Sequence, residues 1–271
     1  MKLQLVKLGG NLIAPKNWPA HTADVKTIRR LAKEVKAFWE IIESKTDRGL
    51  IVGHGGGNFP HTESAEYKVY EGFSDERGKL GACLAQQSAR DINSIVVKEL
   101  LKLNLPVAVV VPHDVVISRF NKLKKGFFET IRILVKRRVI PVLYGDPVWD
   151  EGQGSIILST ERCLAYLAKT MVRQWRWKVE RFVQAGLEQG VLDSKGKVIG
   201  KISKQNFNQL KYMITGAKGV DVTGGMLHKV EESLKLAKDV GIETVIISGR
   251  VRGRLTAALR GEPVLGTRIG N

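Results

Sequence analysis

Apolar residues form short continuous runs that alternate with stretches of helical spacing along the whole chain. The first run covers residues 3–8, and apolar side chains then recur three or four positions apart, at Ile28, Leu31, Val35, Phe38 and Ile42. By the same criteria we predict strands at 3–8, 50–53, 107–111, 139–144, 181–184 and 244–247. We predict helices at 28–42, 79–103, 127–138, 160–169, 207–212 and 253–259, and one that opens at Gly224-Gly225. Ser159 is the predicted N-cap of the helix at 160.

Strands that alternate with helices indicate an α/β fold with a mostly parallel central sheet covered by helices on both faces. A chain of 271 residues is long enough for one large domain of this kind. The composition shifts near residues 169–181, without any Pro- or Ser-rich linker. We therefore predict a single domain over 1–271 with two lobes, 1–172 and 173–271.

The composition is that of a soluble globular protein, with 43% hydrophobic and 26% charged residues. No apolar run approaches the roughly 20 residues that span a bilayer, and the N-terminus lacks the apolar core of a secretory signal. We expect a cytoplasmic protein without membrane partners. Cys83 and Cys163 lie far apart and outside any CxxC motif, which argues against a disulfide framework or a zinc site.

The formal net charge of +17 is unusual and attracts polyanions. The basic residues are spread along the chain rather than gathered in a tail, and an enzyme that handles two phosphate groups also needs a positive field. Residues 172–181 mix tryptophans with arginines and lysines, a composition found in nucleic-acid stacking platforms. A strand at the junction of the two lobes explains this stretch equally simply, so we do not expect a nucleic-acid partner.

Three glycine clusters follow a predicted strand or precede a predicted helix: Gly9-Gly10, Gly55-Gly56-Gly57 and Gly224-Gly225. Ligands of open α/β sheets collect at the carboxyl ends of the strands. Glycine lets the main chain approach a ligand closely, and a helix N-terminus offers unpaired N–H groups to an anion. The chain contains no GxxxxGK[ST] or GxGxxG segment, so these clusters would form a different phosphate site.

Charged side chains accompany the glycines. Lys7 interrupts an apolar strand, where an unpaired ammonium is costly, and a bound phosphate would supply the counter-charge. Lys16 lies in the following loop, and Lys229 lies one turn into the helix that Gly225 opens. His61 is predicted in a loop after the triple glycine, whereas His54, between strand and glycines, is predicted to be structural.

The motifs that carry these residues occur in a fixed order: KLGG (7–10), HGGGNFPH (54–61), PVLYGD (141–146), STE (159–161) and DVTGGM (221–226) with Lys229. In this order they resemble isopentenyl phosphate kinases of the amino-acid kinase superfamily, over nearly the whole chain. The resemblance implies a three-layer αβα sandwich, ATP with Mg²⁺, a small phosphate monoester as acceptor, and a homodimer. It places the acceptor in the lobe 1–172 and the nucleotide in the lobe 173–271.

Position by position, the resemblance also implies roles. The catalytic residues would be Lys7, Lys16, His61 and Lys229. The acceptor would bind to Gly55, Gly56, Gly57, Asn58, Gly145, Asp146 and Thr160. ATP would bind to Gly9, Gly10, Asp221, Thr223, Gly224 and Gly225. No residue is assigned as a metal ligand.

The sequence departs from the family pattern in several places. Asn58 stands where Ser is usual, Pro60 where Gly is usual, and Ser159-Thr160-Glu161 replaces Ser-Gly-Asp. The usual Thr-Asp-Val-Asp-Gly becomes residues 186–190, GLEQG, which lacks both aspartates. Ala82, Cys83, Ala85 and Ile92 on the helix after His61 suggest room for the acceptor's hydrocarbon tail, although apolar positions of this kind belong to a core more often than to a pocket lining.

Two other functions remain open. A fosfomycin-kinase-like enzyme resembles the same motifs and also phosphorylates an anionic acceptor, whereas a uridylate kinase does not suit the His61 segment. The lost aspartates leave room for an ATP-binding or storage protein without catalysis.

Overall fold

The structure of the chain, a computed structural model, describes residues 1–215 and 225–270. The strands are β1 (Lys2–Leu8), β2 (Arg48–His54), β3 (Val107–Val109), β4 (Val116–Arg119), β5 (Lys122–Gly126), β6 (Ile140–Tyr144), β7 (Asp146–Asp150), β8 (Gly154–Leu158), β9 (Lys178–Gly186), β10 (Lys201–Ile202), β11 (Thr244–Ser248) and β12 (Gly266–Ile269). The α-helices are α1 (Gly10–Ile13), α2 (Val25–Ile42), α3 (Asn58–Glu66), α4 (Glu76–Leu101), α5 (Pro112–Val115), α6 (Glu129–Lys136), α7 (Thr160–Arg173), α8 (Lys204–Thr215), α9 (Gly225–Val240) and α10 (Arg254–Arg260).

Within these ranges the strands form one eight-stranded and one four-stranded sheet. The large sheet has the order β10-β12-β11-β9-β1-β2-β6-β3, and its pairs are parallel except for β11 with β12. The small sheet has the order β5-β4-β7-β8. The large sheet runs through both predicted lobes, and the lobe boundary at residue 172 stays a prediction.

Alternate side chains of the central strand β1 enter two different hydrophobic cores, as the period of two along a strand requires. Val6 and Leu8 pack in a core with α2, α4 and α10, whereas Leu3 and Leu5 pack on the other face with α6 and α7. Helices therefore cover both faces of the large sheet. The predicted α/β fold, a three-layer αβα sandwich, is confirmed.

The small sheet was not predicted, because its strands do not follow the apolar patterns used above. β5, with the sequence KLKKG, has three exposed lysines and no buried residue. A polar edge strand of this kind discourages pairing with another chain and gives little hydrophobic signal. The prediction of helix at 127–138 was correct for 129–136 alone, since Gly126 ends β5 just before it.

The prediction that His61 lies in a loop was wrong, because α3 begins directly after Gly57. Pro60 occupies the first turn of this helix, where no intrahelical N–H donor is needed, so proline is tolerated there. Ser159 caps α7 as predicted: its side chain accepts a hydrogen bond from the Arg162 N–H. None of the helices in the described ranges combines the length and the apolar character that crossing a bilayer requires.

The Asp150 carboxylate organises the tip of the β4–β5 hairpin. It accepts hydrogen bonds from the backbone N–H groups of Phe120 and Asn121, at 3.0 and 2.9 Å, and from the Ser118 hydroxyl at 2.6 Å. Phe120 and Asn121 have φ values of 47° and 59°, a conformation that is unfavourable for a bulky residue such as Phe. Burial alone would raise the pKa of Asp150, but these hydrogen bonds lower it to about 2.

We expect Asp150→Asn to lower the free energy of unfolding by about 2 kcal/mol at pH 7, because one oxygen acceptor becomes a donor facing N–H groups. A folded-state pKa below the unfolded value means that the carboxylate stabilises the fold above about pH 4 and loses this effect as the pH falls toward 2. Urea unfolding at several pH values measures the difference. The exposed Glu151→Gln in the same loop is the control, with little expected change. Equal stability of Asp150→Asn and wild type at pH 7 would contradict the assignment.

Candidate active site

A cavity of about 610 Å³ lies at the carboxyl ends of β1, β2 and β9. Residues from α1, α3, α7 and α9 and from the small sheet complete its walls. The predicted site residues on its lining are Lys7, Gly9, Gly10, Lys16, Gly55, Gly56, Gly57, His61, Gly145, Asp146, Thr160 and Lys229. The structure thus brings the four predicted catalytic side chains to one cavity.

Asp221, Thr223 and Gly224 lie outside the described residues. Gly225 begins α9 and lines a smaller adjoining cavity of about 170 Å³, to which Glu161 and Lys229 also contribute. Asn58 is on neither lining.

Two glycine loops meet main chain to main chain at the cavity floor. A Cβ atom on Gly10 would lie 2.5 Å from the Gly57 nitrogen, and one on Gly55 would lie 2.6 Å from the Gly10 nitrogen. Real Cβ atoms do not approach backbone this closely, so neither position accepts a side chain. Gly57 also has a φ of 59°, which favours glycine. The loops after β1 and β2 can therefore lie side by side only because both are made of glycine.

Lys7 lies on the face of β1 that is turned toward α7, with Gly53 and Gln184 beside it on the neighbouring strands. Its ammonium group is nearly buried, and Nζ lies 2.6 Å from Oε1 of Glu161. Glu161 thus supplies a counter-charge for Lys7 that the sequence did not indicate, and the binding of a phosphate by Lys7 stays a prediction. Glu161 sits in the first turn of α7, where the helix dipole also favours a negative charge.

The charges of two lysines act on the Glu161 carboxylate. Burial alone would raise its pKa, but the positive charges of Lys7 and Lys229, together with the hydrogen bond from Lys7, lower the pKa to about 2. The carboxylate is thus ionised at every physiological pH. The hydrogen bond to Glu161 orients the Lys7 ammonium group, and the negative charge of Glu161 offsets the repulsion between Lys7 and Lys229.

Lys16 and His61 line the same cavity, close enough for the charge of Lys16 to act on the imidazole. Lys16 is in the loop after α1, and its N–H donates to Oδ1 of Asn11 at 2.8 Å. His61 is on α3, one helical turn after the triple glycine. Desolvation lowers the pKa of His61, and the charge of Lys16 lowers it further. His54, by contrast, is fully buried and bonded to Asn93 at 3.0 Å, which supports its predicted structural role.

Asn58 was predicted to contact the acceptor, and the structure corrects this. Its side chain is 4% exposed, and its amide nitrogen contacts the carbonyl oxygens of Pro15, Pro19 and Thr22. Its own N–H donates to the Ala14 carbonyl at 3.1 Å. Both donor groups are engaged within the chain, Oδ1 is buried without a hydrogen-bond partner among the described residues, and Asn58 is on neither cavity lining, so the structure does not support a direct contact with the acceptor.

Asp146 lies on the cavity wall and is 1% exposed. Its Oδ2 atom is 2.6 Å from Nδ1 of His113, whereas Oδ1 has no hydrogen-bond partner among the described residues. Burial raises the pKa of Asp146, and the bond to His113 offsets part of this rise. Thr160 is equally buried and donates its hydroxyl to the His54 carbonyl at 2.7 Å, so its side chain holds the loop after β2 rather than pointing to a ligand.

Neither of the two cavities is lined by Ala82, Cys83, Ala85 or Ile92, so the described residues favour the core explanation of these positions over a tail pocket. Ala82 and Ala85 are fully buried against Val69 in a separate hydrophobic cluster, and Ile92 belongs to the main core. The apolar part of the cavity near His61 is built instead by the small sheet, from Pro147, Ile157 and Leu158. This apolar wall was not predicted, because the strands of the small sheet were not recognised from their hydrophobic pattern.

Residues 186–190, where the family's aspartates are missing, still reach the cavity. Gly186, Leu187 and Glu188 line it, so one carboxylate of this segment faces the site. Gln184 lines it as well and was missed, although it interrupts an apolar strand in the same way as Lys7 does. His113 gives no signal of its own, because the fold alone brings it to Asp146.

The aromatic residues of the stretch 172–181 are used inside the fold. Trp177 is 8% exposed and packs in the core beneath α7, and Trp175 packs against the same core. Their rings meet edge to face, with centroids 4.9 Å apart. This arrangement favours the structural explanation of the stretch over a stacking platform.

The amino-acid sequence matches the model of a known protein family. The model of the amino acid kinase family matches residues 2–248, and the chain therefore belongs to the amino acid kinase family. Members of this family are phosphotransferases, which confirms the predicted class of enzyme.

Individual members of one group of kinases are similar to this chain over nearly their whole length. The isopentenyl phosphate kinases of Methanocaldococcus jannaschii and Methanothermobacter thermautotrophicus are 29% and 27% identical to this chain, over 98% of this chain and 98% of each relative. A crystal structure of an isopentenyl phosphate kinase has a TM-score of 0.79 at 24% identity, with 98% of this chain and 100% of that chain covered. The T. acidophilum isopentenyl phosphate kinase product complex has a TM-score of 0.74 at 19% identity, with 98% and 99% covered. The two structures establish the fold, and the resemblance stated from the sequence is confirmed.

Glu161→Gln provides a test of the lysine arrangement. We expect it to lower the free energy of unfolding by about 3 kcal/mol at neutral pH, because the buried Lys7 ammonium loses its ionic partner. Since the folded-state pKa is depressed, the loss should shrink as the pH falls from about 4.5 toward 2. Urea unfolding followed by circular dichroism measures it. Combining Glu161→Gln with Lys7→Met should restore part of the stability; a single variant as stable as wild type would refute the ion pair's role.

Proposed function

We propose that the chain transfers the γ-phosphoryl group of ATP to isopentenyl phosphate, giving isopentenyl diphosphate and ADP. One observation carries the proposal: Lys7, Lys16, Lys229 and His61 line a single cavity beside two bare glycine loops. The relatives named isopentenyl phosphate kinase, which match nearly end to end, support this acceptor. Cytoplasmic location and a homodimer belong to the same proposal.

Phosphoryl transfer between these two reactants requires above all that their negative charges be neutralised. Both reactants are anions, and phosphoryl transfer asks the protein mainly for positioning and electrostatic stabilisation. In this proposal the acceptor phosphate lies between Lys16 and His61, near the backbone N–H groups of Gly56 and Gly57. The ATP phosphates lie between Lys7, Lys229 and the N–H group of Gly10, since the N–H groups of Gly9 and Gly55 donate to the carbonyls of Ala185 and Leu8. The nucleotide thus approaches from the β9 side, and the acceptor from the small sheet.

The reaction then needs no strong general base. The second pKa of a phosphate monoester is near 6, so at neutral pH its oxygen is already ionised and attacks the γ-phosphorus directly. The bond between that phosphorus and the bridging oxygen breaks, and ADP leaves. Glu161 holds the two ammonium groups that face the transferred phosphoryl group, so it acts through Lys7 and Lys229 rather than on the substrate. A buried Asp146 with a raised pKa repels the acceptor less than an exposed carboxylate would.

Mg²⁺ fits this site as a companion of the nucleotide. Among the described residues, no three His, Cys, Asp or Glu side chains gather as a metal cage. Mg²⁺ in kinases needs only one or two carboxylates together with phosphate oxygens, and Glu188 is a carboxylate on the lining. When bound, the ion would neutralise part of the charge on the transferred phosphoryl group.

The apolar wall near His61 favours a short hydrocarbon tail. Pro147, Ile157 and Leu158 line the same cavity as His61, and in this proposal they cover the hydrocarbon tail of the acceptor. Fosfomycin, which is smaller and carries its charge on a phosphonate, would leave this wall partly uncovered. The geometry therefore favours isopentenyl phosphate, and the rival acceptor becomes an outcome of the assay.

The first experiment compares acceptors. Purified protein with Mg²⁺ and ATP is given isopentenyl phosphate or fosfomycin, and ADP release is followed by a coupled assay. We expect kcat/KM for isopentenyl phosphate to exceed that for fosfomycin by about 15-fold, because its tail has two more carbon groups to bury, at about 0.8 kcal/mol each. A reversed preference would establish the fosfomycin-kinase-like function. ATP binding without turnover of either acceptor would establish an ATP-binding protein.

A second experiment tests the role of His61. We expect His61→Ala to lower kcat/KM for the acceptor by about 100-fold, since a positioned donor to the acceptor phosphate is lost. ATP affinity, measured by calorimetry without acceptor, should change little. His61→Gln keeps an N–H donor and should retain more activity than His61→Ala. Steady-state kinetics of His61→Ala equal to wild type would exclude His61 from acceptor binding.

A further inference from the structure

The loop that carries Lys16 is fastened to α3 by one buried side chain. The amide nitrogen of Asn58 lies 2.8 Å from the carbonyl oxygen of Pro15, 3.1 Å from that of Pro19 and 3.0 Å from that of Thr22. These three carbonyls come from both ends and the middle of the loop, so they converge only if the loop closes around the amide. An amide NH₂ carries two donors and suits such a ring of acceptors.

A second set of contacts joins the same two segments. His21, at the far end of the loop, lies 2.9 Å from the Glu63 carboxylate, and its ring meets the edge of Phe59 with centroids 5.5 Å apart. Phe59 and Glu63 flank His61 on α3. The loop and the helix are thus linked on both sides of His61, and the distance between Lys16 and His61 depends on these links.

We propose that Asn58 is a positioning residue that holds Lys16 at the acceptor end of the cavity by closing the loop 15–22 around its amide. The proposal rests on the function proposed above, in which Lys16 and His61 share the acceptor phosphate. It replaces the predicted direct contact between Asn58 and the acceptor. Lys16 is an exposed side chain, and its backbone N–H is bonded to Asn11, so the path of the loop sets where Lys16 lies relative to His61.

Two substitutions at Asn58 test whether the N–H donors of its amide, rather than its size, hold the loop. Asn58→Asp keeps the size and shape, but it turns a carboxylate oxygen toward three carbonyl oxygens. Asn58→Ser is shorter and retains one donor for the three acceptors. Asn206→Ser is the matched control, because Asn206 also bonds backbone groups, at Lys201 and Ser203, far from the cavity.

Hydrogen–deuterium exchange and kinetics are measured on each variant, with and without Lys16→Ala. In wild type the N–H groups of Lys16 and Trp18 are bonded at 2.8 and 3.0 Å, so their exchange reports loop opening. In both Asn58 variants we expect faster exchange over residues 15–22 and an acceptor KM raised about tenfold, with less than about twofold change in the ATP KM. The rise in acceptor KM should vanish in the Lys16→Ala background, because both changes remove the same contact.

Each outcome decides the proposal. Unchanged exchange over the loop in Asn58→Asp and Asn58→Ser would overturn it. So would a loosened loop with an unchanged acceptor KM, or a KM effect of equal size in the Lys16→Ala background, which is the result of a merely structural role. If wild type does not phosphorylate isopentenyl phosphate, the proposed function fails, whereas loop exchange still decides whether Asn58 holds the loop.

Discussion

The main chain at Gly10 lies against the main chain of Gly55 and Gly57, and the site depends on this contact. Any side chain at Gly10 or Gly55 would collide with backbone atoms less than 3 Å away. This contact lets the loops after the adjacent parallel strands β1 and β2 lie side by side at the floor of the cavity. Their glycines carry no side chain that would shield the backbone from a ligand. Lys7 just before one loop and His61 just after the other then reach the same cavity. Moving the loops apart would separate the groups that hold the two anions.

Gathering positive charges costs free energy, and the fold offsets that cost with a few carboxylates. Glu161 lies 2.6 Å from Lys7 and within the field of Lys229, and its pKa of about 2 is the signature of that arrangement. Burial lowers the pKa of His61, and the charge of Lys16 lowers it further. In the proposed function, an anion bound beside these two groups would offset the repulsion between them. In the proposed function, Glu161 balances the lysines on the nucleotide side of the cavity, whereas the acceptor phosphate itself balances Lys16 and His61 on the other side.

The sequence predicted the layers of the fold because its signals are local. Apolar runs and helical spacing located β1, β2, β6, α2, α4 and α7, and the glycine clusters marked the sheet edge. The small sheet escaped because β5 is a lysine-rich edge strand, and α3 escaped because Pro60 resembles a loop residue until its place in the first turn is known. Asn58 and Thr160 matched a motif, yet their side chains bond the main chain of other segments. Only coordinates reveal such long-range partners.

A crystal structure with a non-hydrolysable ATP analogue and isopentenyl phosphate bound together tests the central claim most directly. The account predicts both phosphate groups in the 610 Å³ cavity, with the acceptor phosphate between Lys16 and His61 and the γ-phosphate beside Lys7 and Lys229. Phosphates in two separate cavities, or an acceptor phosphate with neither Lys16 nor His61 in reach, would contradict it.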